Sequence, residues 1–171
     1  MEHLRELIRD IPDFPRPGIL FRDVTPLLRD PRALAEVTGA LAGHYHAAGV
    51  DAVAGIEARG FIFGAPLAMA LGVGFIPVRK PGKLPGAKVA REYALEYGSG
   101  SLEVHADAVR PGERVLLVDD LLATGGTARA ATELIEELGG TVAGVAFVIE
   151  LAFLEGRRLL PGHDVHALLR Y

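Results

Sequence analysis

The chain has 171 residues, half of them hydrophobic and 23% charged, with a formal net charge of −4 and no cysteine. That length suits one compact domain with a real core rather than two, and the composition is too apolar for a disordered chain. The charge gives no general pull toward nucleic acid or anionic membranes, the missing thiols exclude disulfides and thiolate metal sites, and no stretch approaches the roughly 20 apolar residues of a bilayer span.

At the N-terminus, MEHLRELIRDIPDF interrupts its apolar positions with charge, so it does not read as a secretory signal and a cytoplasmic setting is expected. Its spacing predicts a short helix over His3 to Ile11, ended by Pro12 and Pro15, and Ile19 to Val24 reads as extended. Asp30 and Pro31 suit the N-cap and first residue of a helix that runs to Ala48 and stops at Gly49. Val53 to Ile56 is a short buried strand, and Gly74 to Val78 another. Between them, Gly60 to Leu71 is apolar all round, as a helix covered on several sides would be.

Residues 81–90 hold two Pro-Gly pairs and read as a loop. Arg91 to Tyr97 and Ser101 to Val109 alternate around Gly98-Ser99-Gly100, which predicts a β-hairpin. Arg114 to Val118 is a near-continuous apolar run ending in two aspartates, the pattern of a central parallel strand. Thr127 to Leu138 is a helix stopped by Gly139 and Gly140; Val142 to Leu151 and Val165 to Tyr171 are further strands. Strands and helices alternate, so the fold class is α/β: one domain over residues 1–171, an open, mainly parallel twisted sheet flanked by helices.

The chemistry concentrates in VLLVDDLLATGGT, residues 115 to 127. A buried strand delivers Asp119 and Asp120 at its carboxyl end, where open α/β sheets bind ligands. The small-residue loop Ala123-Thr124-Gly125-Gly126-Thr127 then opens a helix, whose free N–H groups and positive dipole end suit a phosphate. No lysine follows the glycines, so this is no Walker A loop, and the acids precede the loop rather than following it by about 20 residues as in a dinucleotide fingerprint. Two acids beside a phosphate cradle suit a sugar phosphate, with carboxylates accepting from ribose hydroxyls. A lone aspartate there would read equally well as a loop cap.

The only lysines are Lys80, Lys83 and Lys88, all within RKPGKLPGAK; arginine supplies the rest of the 18 basic residues. This reads either as an arginine-preferring composition or as mobile point charges in a loop that closes over an anion.

VLLVDDLLATGGT resembles the phosphoribosyl pyrophosphate (PRPP) motif of the type I phosphoribosyltransferases. FPRPGILFRDVTPLL (14–28), GIEARGFIFGAPLA (55–68), PVRKPGKLPG (77–86) and LEYG (95–98) extend the resemblance in order along nearly the whole chain, and point to the family's adenine branch. It implies a type I phosphoribosyltransferase fold with a small N-terminal hood over about residues 1–30 and a flexible catalytic loop over about 79–105.

The resemblance also implies roles. Glu57, Ala58 and Arg59 correspond to the pyrophosphate loop, with a cis peptide between Glu57 and Ala58. Arg79, Lys80 and Lys83 would meet the same pyrophosphate, and His105 would join them or simply lie on the surface. Leu20, Phe21 and Arg22 correspond to the hood, Phe21 stacking on the purine, with Leu121 as an apolar wall; from the residues alone, Phe21 reads as core. Glu96, beside Tyr97, is the implied acid/base group at the purine, joined in catalysis by Arg59, Asp119 and Asp120.

The implied reaction joins adenine to PRPP, giving AMP and pyrophosphate in purine salvage. Mg2+ would be bound mainly through PRPP, with no direct protein ligand and with Asp119 and Asp120 nearby through water. A homodimer is implied, and no nucleic-acid or membrane partner. Two alternatives stay open: a PRPP-binding regulator without catalysis, and a phosphoribosyltransferase for another base.

Overall fold

A computed structural model describes residues 1–94 and 99–171. Its centre is a five-stranded sheet in the order β4-β3-β7-β8-β9: Gly74–Val78, Ala52–Ile56, Arg114–Leu122, Thr141–Glu150 and Val165–Arg170. Every neighbouring pair is parallel. β3 is buried at all five positions, which is why it reads as a continuous apolar run and not as an alternation.

Two cores lie on the two faces. On β7 and β8, Val115, Leu117, Val145 and Phe147 point to one face, against helix α4 (Gly126–Glu137). Leu116, Val118, Ala146 and Val148 point to the other, against α2 (Pro31–Tyr45) and α3 (Arg59–Leu71). Sheet residues of one strand thus feed both cores, because side chains alternate across a pleated backbone.

Helix α2 begins as its sequence dictates. The Asp30 side chain accepts hydrogen bonds from the N–H groups of Arg32 (2.8 Å) and Ala33 (3.1 Å), and Pro31 occupies the first turn. Asp30→Ala is expected to cost about 1 kcal/mol of stability, read as a lower urea midpoint with an unchanged slope.

The opening segment differs from its expected single helix. Only Glu2–Leu7 is helical, as a 3-10 helix; Arg9–Ile11 is strand β1, paired antiparallel with β2 (Phe21–Asp23). Backbone pairing across the hood overrides the local apolar spacing. The short helix α1 (Thr25–Arg29) follows β2. The Phe14–Pro15 and Glu57–Ala58 peptides are cis, the second as the resemblance implies.

Helix α3 is not covered on several sides within this chain. Phe63 and Leu67 are buried, but Ile62 is 42% and Met69 83% exposed. The loop expected over 81–90 is also shorter, because β5 begins at Lys88. β5 (Lys88–Ala94) pairs antiparallel with β6 (Ser99–His105), so Ser99 and Gly100 lie in a strand rather than in the turn. The hairpin rests on α4, where Arg91 pairs with Glu133 and Glu137. One isolated bridge, Arg79 to Glu103, ties it to the chain beyond β4. No helix among the described residues is long and apolar enough to cross a membrane.

Candidate active site

At the carboxyl ends of β3 and β7 lies a cleft of about 440 Å³. Its walls come from three loops that the sheet order brings together: Glu57, Ala58 and Arg59 after β3; Lys80 after β4; and Asp119 to Thr127 along the end of β7 and the turn into α4. β7 runs on to Leu122, so the two aspartates sit inside the strand, one residue apart in the ladder, instead of just past its end.

Because they are neighbours in a strand, Asp119 and Asp120 present different environments. Asp120 is 2% exposed and Asp119 is half-buried. The Asp119 carboxylate accepts a hydrogen bond from the Asp120 N–H at 2.9 Å. Arg59 Nε lies 2.7 Å from Asp120 Oδ2. That contact is an ion pair off the N–H axis, so the buried Oδ2 still has no aligned hydrogen bond. Burial pushes both carboxyls above the ordinary aspartate range, Asp119 well above it. The negative charge of Asp120 adds to the rise at Asp119, while the Arg59 guanidinium opposes it at Asp120. Such a site favours a ligand that brings positive charge and hydroxyl donors to the acids.

The opposite wall is a glycine-rich turn into a helix N-terminus, which suits an anion. Ala123, Thr124, Gly125 and Thr127 line it, and Gly126 opens α4 beside them. α4 is 12 residues long, and its first N–H groups have no acceptor within the helix. Gly125 caps it at φ +88°, a left-handed conformation that disfavours any side chain.

The basic residues are held rather than free. Arg59 also lies over the Phe21 ring, 5.3 Å from its centroid, linking the acids to the hood. Arg79 donates from Nε and Nη2 to Glu57 at 3.2 and 3.3 Å, and the Lys80 N–H donates to the same carboxylate at 3.0 Å. The Arg79 hydrogen bond holds the Glu57 carboxyl below its usual range. Glu57 thereby fixes the Arg79 guanidinium and the backbone at Lys80 beside the cleft. Lys83 is exposed, and its carbonyl accepts from Arg79 Nη1 at 3.0 Å.

Other expected site residues are placed differently. Arg22 is turned from the cleft, paired with Asp10 and stacked over Tyr171 at 4.0 Å. Leu20 is exposed, and Phe21 meets Phe14 edge-on at 5.2 Å; Leu121 does line the cleft. His105 does not line it, and its Nε2 is buried without a partner. Glu96 and Tyr97 lie outside the described residues. Sequence reasoning missed Tyr93, whose hydroxyl receives a hydrogen bond from Lys80 Nζ at 2.9 Å. It also missed Phe147, which lies under the cleft. Tyr93 pairs across the hairpin with Gly100, which leaves room for its ring, a pairing that the expected turn at residues 98–100 hides in the sequence. Among the described residues, no three His, Asp or Glu side chains converge as a metal cage.

The phosphoribosyl transferase domain family matches residues 23–159. The chain is 61% identical over all 171 residues to the adenine phosphoribosyltransferase of Methylococcus capsulatus, covering 100% of both chains. It is 59% identical to that of Nitrosococcus oceani, again with full coverage of both. The crystal structure of the Thermoanaerobacter pseudethanolicus adenine phosphoribosyltransferase superposes with a TM-score of 0.97 at 53% identity, over 99% of each chain. The Saccharomyces cerevisiae enzyme, solved with an imino-altritol bisphosphate and adenine, superposes with a TM-score of 0.94 at 44% identity, over 98% of this chain and 97% of that one. Full-length identity at this level, on a sheet that carries the acid pair and the glycine-rich turn in one cleft, places the chain in the adenine phosphoribosyltransferase family.

Proposed function

We propose that this protein transfers the 5-phosphoribosyl group of PRPP to N9 of adenine, giving AMP and pyrophosphate. The observation that carries the reading is one cleft with an acid pair between an anion-binding helix terminus and a cation-bearing loop. The 5′-phosphate would lie on residues 123–127, the ribose hydroxyls on Asp119 and Asp120, and the pyrophosphate near Arg59, Arg79 and Lys80. As the C1–oxygen bond breaks, positive charge grows on the ribose, and fixed carboxylates stabilise that charge more than the uncharged ground state. Adenine enters from the hood side, with Leu121 and Phe21 as its apolar walls. Glu96 is the proposed acid/base group at the purine.

The donor set fits Mg2+ carried by the substrate: two carboxylates, one with an oxygen lacking an aligned partner. When bound, the ion would neutralise pyrophosphate charge, with Asp119 and Asp120 contacting it through water. The test is pyrophosphate release from PRPP and Mg2+ with adenine, hypoxanthine, guanine and orotate offered in turn. Adenine alone should support turnover, and release with none of the bases would refute the reading.

Lys83→Ala is expected to raise KM for PRPP several-fold while changing KM for adenine less, because an exposed, flexible ammonium acts on the anionic substrate. Steady-state kinetics with each substrate varied reads the difference. A homodimer in the cytoplasm belongs to the same proposal, supported by the exposed Ile62 and Met69 on α3. Sedimentation is expected to give twice the chain mass, and Met69→Glu to shift it toward the monomer.

A further inference from the structure

We infer that Gly156 is a positioning residue for the phosphate turn, and that Glu150 and Arg157 hold it in place. This rests on residues 123–127 receiving the 5′-phosphate. The turn has little internal support, since its residues are small and Gly125 has a left-handed backbone. Its support comes from a short 3-10 helix, Gly156–Leu159, that follows the last strand residue of β8 by only a few positions.

The two segments meet backbone to backbone. A Cβ on Gly125 would overlap the Gly156 carbonyl, and a Cβ on Gly156 would overlap the Ala123 carbonyl and lie 3.1 Å from the Gly125 N–H nitrogen. Gly156 is buried. Neither glycine leaves room for a side chain, so the position of one segment sets the position of the other.

Gly156 is in turn fixed by its neighbour. Arg157 donates from Nε and Nη2 to the two oxygens of Glu150, both at 2.7 Å, and from Nη1 to the Val165 carbonyl. Glu150 is 2% exposed and also faces Arg170 Nε at 3.1 Å. The Arg157 hydrogen bond holds the Glu150 carboxyl below its usual range. Glu150 is paired with Leu122 in the ladder, directly before the turn begins. A planar bidentate fork therefore ties β8, β9 and the wall behind the phosphate turn into one unit, a geometry a lysine cannot supply.

The test is calorimetric binding of two probes to the full chain: AMP, which carries the 5′-phosphate, and pyrophosphate, which does not. Gly156→Ala is expected to weaken AMP at least tenfold and leave pyrophosphate within about twofold; Arg157→Gln and Arg157→Lys, which add no Cβ at the close approach, are expected to weaken AMP several-fold in the same selective way. A merely structural role would lower the melting temperature and leave the ratio of the two affinities unchanged, and that result in either folded Arg157 variant overturns the inference. Wild-type protein that binds pyrophosphate but not AMP would instead overturn the assignment of the phosphate turn, so the two failures are distinct.

Discussion

Asp119→Asn and Asp120→Asn are each expected to lower kcat by roughly two orders of magnitude, the usual cost of one preorganised electrostatic contact to a developing charge. The amide keeps the shape and removes the charge that steadies the ribose cation. Full activity in both variants would refute the assignment. Asp119 carries a second, independent expectation. Its carboxyl is raised well above the ordinary range, chiefly by burial. A carboxyl whose folded value exceeds its unfolded value binds its proton more tightly in the native state. It therefore lowers stability as pH rises between the two values, and the deficit is complete above the folded one. Asp119→Asn should melt at a higher temperature than the wild type near pH 8, and the gap should close as pH falls toward 4. The slow enzyme should be the more stable protein, as expected where a site stores charge repulsion for function.

Phe147→Ala is expected to cost about 3–5 kcal/mol, the usual range for deleting a fully buried phenylalanine. Phe147 is 1% exposed in the middle of β8, between Asp119 and Ala167 on the neighbouring strands. It belongs to the core that Val115 and Leu117 of β7 form with Ala128 and Leu134 of α4. A domain of ordinary stability has about 5–15 kcal/mol in all, so the variant should sit close to unfolding at 37 °C. Phe147→Leu should cost less than the alanine because more volume remains. Urea midpoints of the two variants measure the difference, and a loss under about 1 kcal/mol in the alanine variant would contradict a packed core position.

The fold was legible where burial is two-sided. β3, β7 and β8 read as apolar runs because both of their faces are covered, and the order strand, acids, glycines, helix brings the acid pair to the carboxyl-terminal part of the central strand, where the cleft opens. The hood was not legible. Arg9–Ile11 carries a helical apolar spacing, yet it pairs with Phe21–Asp23, a partner that local pattern does not reveal. Nor does sequence show that Arg22 leaves the cleft for Tyr171 at the far end of the chain, or that Glu57 restrains Arg79. Those contacts join positions far apart in sequence, and only the closed fold brings them together. The exposed side of α3 was misread for a related reason: an apolar surface looks the same whether its cover comes from this chain or from elsewhere.

The sheet order has a consequence for how such a protein can change. Residues 79–113 depart from edge strand β4, build the hairpin, and rejoin the sheet at β7, on the far side of β3. The hairpin contributes no strand to the five-stranded ladder. It can therefore be lengthened, shortened or exchanged for another while the scaffold keeps its registration, provided that the docking on α4 survives. The hairpin and the sheet-end cleft can evolve at different rates.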